Sequence, residues 1–457
     1  MRLRLLAAAV LTGVAAGLGG AALTELLHAV QHLAFGYTEN TFLVGVERAA
    51  PLRRVLAVGI GGAVVALGWW AQRRSRRVHE VAARVSVPRA LTADAPHLAV
   101  GATVVDAVLQ IAAVGVGGSL GREGAPRQVG AALGGWLAAR LGLPAAQQRT
   151  LLACGAGAGL AAVYNVPLGG ALFTLELLLA SRALRDVVPA LVTSGVATVV
   201  AWPALSDAPT YQVGRLPAGG AVTVGALLLG PVAGLAGVAF ARLTRAAHHR
   251  APAGGRGALA VTVVFTALGA MAIPYPQLLG NGRGLAELAF TGALPLGLAV
   301  VLMLLKPLAT AACLAGGAAG GLLTPSLATG AALGAAAGGA WTLLWPGAPL
   351  GASAVVGAAA LLAVTQRAPV TAVVLVLEFL QGGGSLLGPI VLAVLGATAT
   401  ASVLDRRQVP AVVRPLLRGS RFPHRRRLAP AAAPPGPGGS RGARGAPTRT
   451  RPPDGGG

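Results

Sequence analysis

Gly117-Gly118-Ser119-Leu120-Gly121-Arg122-Glu123-Gly124-Ala125-Pro126 sets an arginine beside a glutamate in a region otherwise free of charge, and brackets the pair with glycines. Glycines leave backbone N–H groups uncovered, and a proline just beyond favours the start of a helix. A helix start offers free N–H donors and the positive end of the helix dipole, so it attracts an anion. A glutamate placed there can fill the anion site with its own carboxylate and vacate it on protonation. The competing reading is a surface Arg–Glu pair on a tight turn. Two hundred residues on, Gly320-Gly321-Leu322-Leu323-Thr324-Pro325 repeats the glycine-then-proline order without the charges. Two such helix starts, converging at mid-membrane from opposite halves of the chain, would make a cage of N–H groups suited to a dehydrated anion.

The surroundings of these two stretches are those of a membrane protein. The chain has 457 residues, 54% hydrophobic and 11% charged, against about 25% charged in soluble domains. Its mean hydropathy is +0.70. Apolar stretches run approximately over 5–35, 52–71, 97–118, 128–142, 150–182, 187–204, 219–246, 257–273, 285–316, 321–345, 350–378 and 386–404. A simple span takes roughly 20 apolar residues, so several of these are too short, or too long and glycine-broken, to be one helix. Interrupted backbone at membrane depth is tolerated where it is buried in protein or lines a cavity. The composition, with 67 glycines, therefore predicts an all-α polytopic bundle with broken helices, packed closely through small residues.

The net charge of +23 suggests nucleic acid only until it is located. Residues 406–457 hold 12 Arg and one Asp, and this Pro/Gly/Arg-rich segment reads as a disordered basic tail that touches anionic lipid. The remaining charge lies mostly between apolar segments. No nucleic-acid partner is expected. Met1-Arg2-Leu3-Arg4 opens a first membrane helix rather than a cleaved signal, with its arginines, like Arg73-Arg74-Ser75-Arg76-Arg77, on the cytoplasmic side. The Arg73–Arg77 cluster could set topology alone or also concentrate anions. Cys154 and Cys313 read as packed thiols, and neither a metal nor a cofactor is expected. An intramembrane enzyme would need a His/Glu metal set or a Ser/Lys dyad. His28, His32, His248 and His249 instead read as interfacial residues on helix ends, so the chain is read as a non-enzyme.

Internal repetition organises the rest. At an offset of 217, Gly17, Leu18, Gly20 and His32 fall on Gly234, Leu235, Gly237 and His249; at 200, Gly121 and the run 130–134 fall on Gly321 and an identical run 330–334; at 202, Pro167 and Glu176 fall on Pro369 and Glu378. Single Gly/Ala matches are cheap in so biased a chain, but three ordered blocks predict two structural repeats with a site at their interface. In the run 155–176 one helix ends, a turn forms at Asn165-Val166-Pro167, and a second helix carries Glu176. An intramembrane carboxylate is a functional candidate by default; a structural pair with Arg182 or Arg185 is the equal alternative.

The Gly-Arg-Glu-Gly block, the Asn-x-Pro-Leu-x-Gly-x-x-Phe-x-x-Glu block and the later Gly-x-x-x-Pro block, together with Pro276-Gln277-Leu278-Leu279-Gly280-Asn281-Gly282 and Ala368-Pro369, resemble the CLC chloride channels and proton/chloride antiporters in order and spacing over residues 5–405. The resemblance implies an inverted-repeat membrane domain over 1–415, with halves about 1–205 and 215–405, followed by the tail 416–457. It implies a multi-pass protein of the cell membrane and a homodimer with one pore per subunit, carrying chloride or another monovalent anion. Residue by residue, Glu123 matches the gating glutamate. Arg122, Gly124, Leu322, Leu323 and Thr324 match positions whose backbone amides hold the anion.

The chain departs from that pattern at five places. Leu323 stands for a usual Phe, and Ala125 for a usual Pro with Pro126 shifted by one. The segment that supplies a pore hydroxyl is missing; Ser75 is the candidate substitute, and a shortened loop the alternative. Gln408-Val409-Pro410-Ala411 occupy the place of the pore tyrosine. Leu177 stands where the antiporters carry an inner proton-transfer glutamate. The expectation is anion transport gated by Glu123, with passive conduction, proton coupling by another route, or a transport-dead scaffold as alternatives.

Overall fold

In a computed structural model, the structure describes residues 2–39, 41–74, 86–93, 96, 98–214, 216–382 and 384–404. Ser75, Gln408–Ala411 and the tail 416–457 lie outside the described residues.

The first half runs through α1 (Arg2–Phe35), α2 (Phe42–Arg48), α3 (Pro51–Arg74), α4 (Val87–Thr92), α5 (Val100–Gly115), α6 (Gly124–Arg140), α7 (Ala145–Tyr164), α8 (Pro167–Leu172) and α9 (Leu184–Leu205). The second runs through α10 (Gly220–His249), α11 (Gly254–Met271), α12 (Arg283–Phe290), α13 (Leu296–Gly316), α14 (Leu323–Trp341), α15 (Leu350–Gln366), α16 (Pro369–Leu380) and α17 (Leu387–Leu404). Seven helices among the described residues, α1, α3, α9, α10, α11, α13 and the α17 segment, are long and apolar enough to cross a membrane. The others are shorter, as their sequences require.

Small residues let the two halves pack alike. Gly13 and Gly17 of α1 lie against the carbonyls of Thr193 and Ala197 on α9, with no room for a Cβ. Gly230 and Gly234 of α10 meet Ala393 and Ala397 of α17 in the same way. These are two Gly-x-x-x-Gly contacts related by the repeat, where close approach replaces the hydrophobic drive that lipid removes. Gly130 faces Gly155 between α6 and α7, and Gly330 faces Gly357 between α14 and α15.

Three of the long apolar stretches break into separate helices. The 150–182 stretch breaks at Asn165, and 350–378 at Arg367; both residues cap their helix in the left-handed conformation at φ 56°, and Pro167 and Pro369 then open the next helix. The 285–316 stretch divides into α12 and α13. After α8 the backbone widens into a π-helical run, Phe173–Leu179, a rare form frequent at functional sites.

Candidate anion site at two helix starts

Gly121 and Gly321 pair as an isolated antiparallel bridge, with N–H to O=C distances of 2.7 and 2.8 Å in the two directions. The two repeats thus meet backbone to backbone at equivalent positions. Immediately beyond the bridge each segment enters a helix, α6 after Glu123 and α14 after Leu322.

Glu123 is fully buried. Its side chain does not cap its own helix but crosses to the other repeat. Oε1 accepts the backbone N–H of Leu323 at 2.7 Å, and Oε2 accepts the Thr324 hydroxyl at 3.0 Å. The carboxylate therefore sits on the first turn of α14, where a free N–H and the helix dipole stabilise negative charge. A Cβ on either Gly121 or Gly321 would run into this carboxylate, so the bridging glycines form the walls of its pocket.

Tyr164, the last residue of α7, completes the pocket: its hydroxyl donates to Glu123 Oε2 at 3.2 Å and lies 2.7 Å from the Thr324 hydroxyl. Two hydroxyl protons serve three contacts here, and a proton on the carboxyl would supply the third. The ring of Tyr164 also stacks under Arg122, whose Cζ is 4.9 Å from its centroid. Arg122 donates from Nη2 to the Val163 carbonyl at 3.0 Å, so its side chain turns away from Glu123.

Two cavities end at this point. One, of about 380 Å³, is lined by Arg122, His28, His32, Gln277, Asn281 and Arg283 among others. The other, of about 890 Å³, reaches Gly124 and Gly320 and is lined by Arg73, Asp106, Arg127 and Leu177. Residues 122 and 124 thus face separate cavities, and Glu123 stands between them in the chain. Leu322 caps α14 at the same place.

Glu176 corrects one expectation. It bonds neither Arg182 nor Arg185; its oxygens accept the N–H groups of Val370 at 3.2 Å and Thr371 at 2.7 Å, and the Thr371 hydroxyl at 2.6 Å. It caps α16, a helix whose first N–H groups have no intrahelical partner. Glu378 returns the contact, accepting Leu168 N–H at 2.9 Å and Gly169 N–H at 2.6 Å at the start of α8. The two carboxylates are repeat mates, each capping the other's helix start.

Two residues escaped the sequence reading. Tyr164 was visible only as one polar group at the end of a small-residue helix. Lys306 is a lone lysine inside apolar α13, a signal that intramembrane charge always gives. It is fully buried and donates to the carbonyls of Leu278 and Gly280 at 3.0 and 2.9 Å. Gly280 in turn donates to Gly117 at 2.9 Å, so Lys306 ties the 276–282 loop to the glutamate-bearing loop.

The family model for voltage-gated chloride channels matches residues 61–402. The chain belongs to the CLC family. The H(+)/Cl(-) exchange transporter ClcA of Cronobacter sakazakii is 32% identical over 313 residues, and that of Salmonella newport 32% over 302 residues; each match covers 64% of both chains. The chain thus spans less than two thirds of the length of these CLC relatives. Among solved structures, a slow cyanobacterial Cl-/H+ antiporter superposes with a TM-score of 0.77 at 22% identity, covering 92% of this chain and 99% of its own. A CLC-type fluoride/proton antiporter gives 0.67 at 21% identity, covering 86% and 94%. The CLC fold and a multi-pass membrane protein follow.

Proposed function

We propose that this protein transports a monovalent anion, chloride by default, across the cell membrane, through a pore that Glu123 closes. The observation that carries this reading is the Glu123 carboxylate held on the start of α14 between two cavities. A carboxylate bonded to an amide N–H and a hydroxyl marks a place built for negative charge, and a mobile anion of the same charge can replace it. The named activities of the exchange transporters and the matched CLC model support chloride as the ion.

In this mechanism the backbone amides at Arg122, Gly124, Leu322, Leu323 and Thr324 bind the anion, and protonation of Glu123 weakens its hold on Leu323 N–H. Each charge-assisted hydrogen bond given up by the carboxylate is worth roughly 1.5–3 kcal/mol. An anion takes those donors in its place. The working form is a homodimer with one pore per subunit, and the chain is a transporter rather than an enzyme. The positive-inside rule supports a cytoplasmic end for α3, and Arg73 at that end lines the larger cavity.

Proton-coupled exchange is the second reading. It is favoured by the hydroxyl pair around Oε2, which leaves one contact for a carboxyl proton to fill, and by the exchange activity in the relatives' names. Leu177 on the wall of the larger cavity then requires another proton route.

Chloride and proton flux measured together in liposomes tests both. Chloride flux that Glu123→Gln changes and frees from pH is the expected result. Wild-type vesicles that pass no chloride would return the scaffold reading, and protons moving in fixed ratio with chloride would select exchange.

A further inference from the structure

The larger cavity holds a cation that the gating scheme does not use. Arg127 lies on α6 one helical turn past Glu123, whose carbonyl accepts its backbone N–H at 3.3 Å. Its guanidinium lies over the ring of Phe173, with Cζ 5.1 Å from the centroid. Arg127 lines the cavity, with the Phe173 ring as its packing contact and Glu123 as the negative charge that acts on it.

The other charges on this wall are held elsewhere. Asp106, the carboxylate on the same wall, accepts Trp69 Nε1 at 3.1 Å on Oδ1 and Gln110 Nε2 at 2.7 Å on Oδ2. Gln110 Nε2 also donates to Gln128 Oε1 at 2.8 Å. Arg73 donates to the Gly317 carbonyl at 3.3 Å. A guanidinium has five N–H donors, and Arg127 is half-buried on the wall of the cavity. The ring of Phe173 holds its cation by a cation–π contact and offers no acceptor.

We propose that Arg127 forms an anion subsite in the larger cavity, one helical turn from the Glu123 carboxylate, and that this subsite favours weakly hydrated monovalent anions. The proposal rests on the anion-transport reading above. An anion moving between the cavity and the start of α14 passes this guanidinium. The preference follows from chemistry on both sides: a guanidinium is more weakly hydrated than an ammonium, and Phe173, Leu177 and Leu178 on the same wall replace water with apolar surface. Bromide and nitrate give up water more readily than chloride, and fluoride least readily.

Anion binding to the purified full-length protein, measured by calorimetry in detergent without any flux, tests it. Arg127→Gln should weaken chloride binding about tenfold, and bromide and nitrate should displace chloride from the unsubstituted protein at lower concentration than fluoride. Unchanged chloride affinity in a folded Arg127→Gln protein overturns the proposal. Should that variant not fold, Arg127→Lys decides: loss of the bromide and nitrate preference supports the subsite, and its retention overturns it. A protein that binds chloride at Arg127 yet passes none overturns the transport reading alone. One that transports chloride while binding it independently of Arg127 overturns this inference alone.

Discussion

Residues 121–124 and 321–324 each lead from a glycine of the central bridge into a helix start, at Gly124 in one and a position earlier, at Leu323, in the other. One stretch nevertheless carries Arg122 and Glu123, and the other Leu322 and Leu323. The first repeat supplies the carboxylate; the second supplies the N–H and hydroxyl that receive it. A second pair of equivalent positions behaves differently: Glu176 and Glu378 are the same residue type and cap each other's helices reciprocally. Symmetry retained at 176 and 378 gives two like structural contacts. Symmetry broken at 123 and 323 gives one carboxylate facing one backbone receptor, the arrangement the proposed gate requires and one that two facing carboxylates could not provide, since like charges repel.

The largest expected effect breaks the asymmetric pair. Glu123→Gln should change chloride flux by tenfold or more and remove its pH dependence, whereas Leu323→Gln, at the equivalent position, should change flux by less than about threefold, because the donor there is backbone. Equal responses of the two variants would show that the asymmetry has no functional weight. The helix contacts come next. Gly17→Val and Gly234→Val each force a side chain into a neighbouring carbonyl and should destabilise by about 3 kcal/mol, read as similar drops in thermal unfolding temperature in detergent.

A smaller effect sharpens the symmetric pair. Glu176→Ala should cost about 2 kcal/mol and Glu378→Ala somewhat less, because Glu176 also accepts the Thr371 hydroxyl; Thr371→Val should narrow the gap. A larger loss at Glu378 than at Glu176 would contradict the hydrogen-bond count. The smallest is Tyr164→Phe, which removes one hydroxyl from Oε2. It should loosen Glu123 by about 1 kcal/mol, roughly a fivefold change in flux at fixed pH.

Glu123, Leu323, Thr324 and their glycines were legible as motifs, because a charged pair flanked by Gly and Pro in apolar sequence has few explanations. The contact between Glu123 and Leu323 N–H was not, since the two are 200 residues apart and nothing local says which helix start the carboxylate chooses. Glu176 misled for the same reason: its nearest arginines in sequence are Arg182 and Arg185, while its partners are N–H groups on α16. Tyr164 was hidden because an aromatic residue at a helix end looks like packing until its hydroxyl is placed.

The sequence by itself determined that the chain is a helical membrane protein, that it is built of two repeats, and which glycine–proline stretches begin the helices at its centre. Those properties depend on composition, periodicity and local backbone preference, which are written residue by residue. Only the tertiary structure decided that Gly121 pairs with Gly321, that each repeat caps the other's helices, and that Glu123 lies between two cavities with Arg127 on the wall of one. Those outcomes depend on which unsatisfied N–H groups and charges meet across the repeat interface, and the chain reaches that geometry only when both halves are packed.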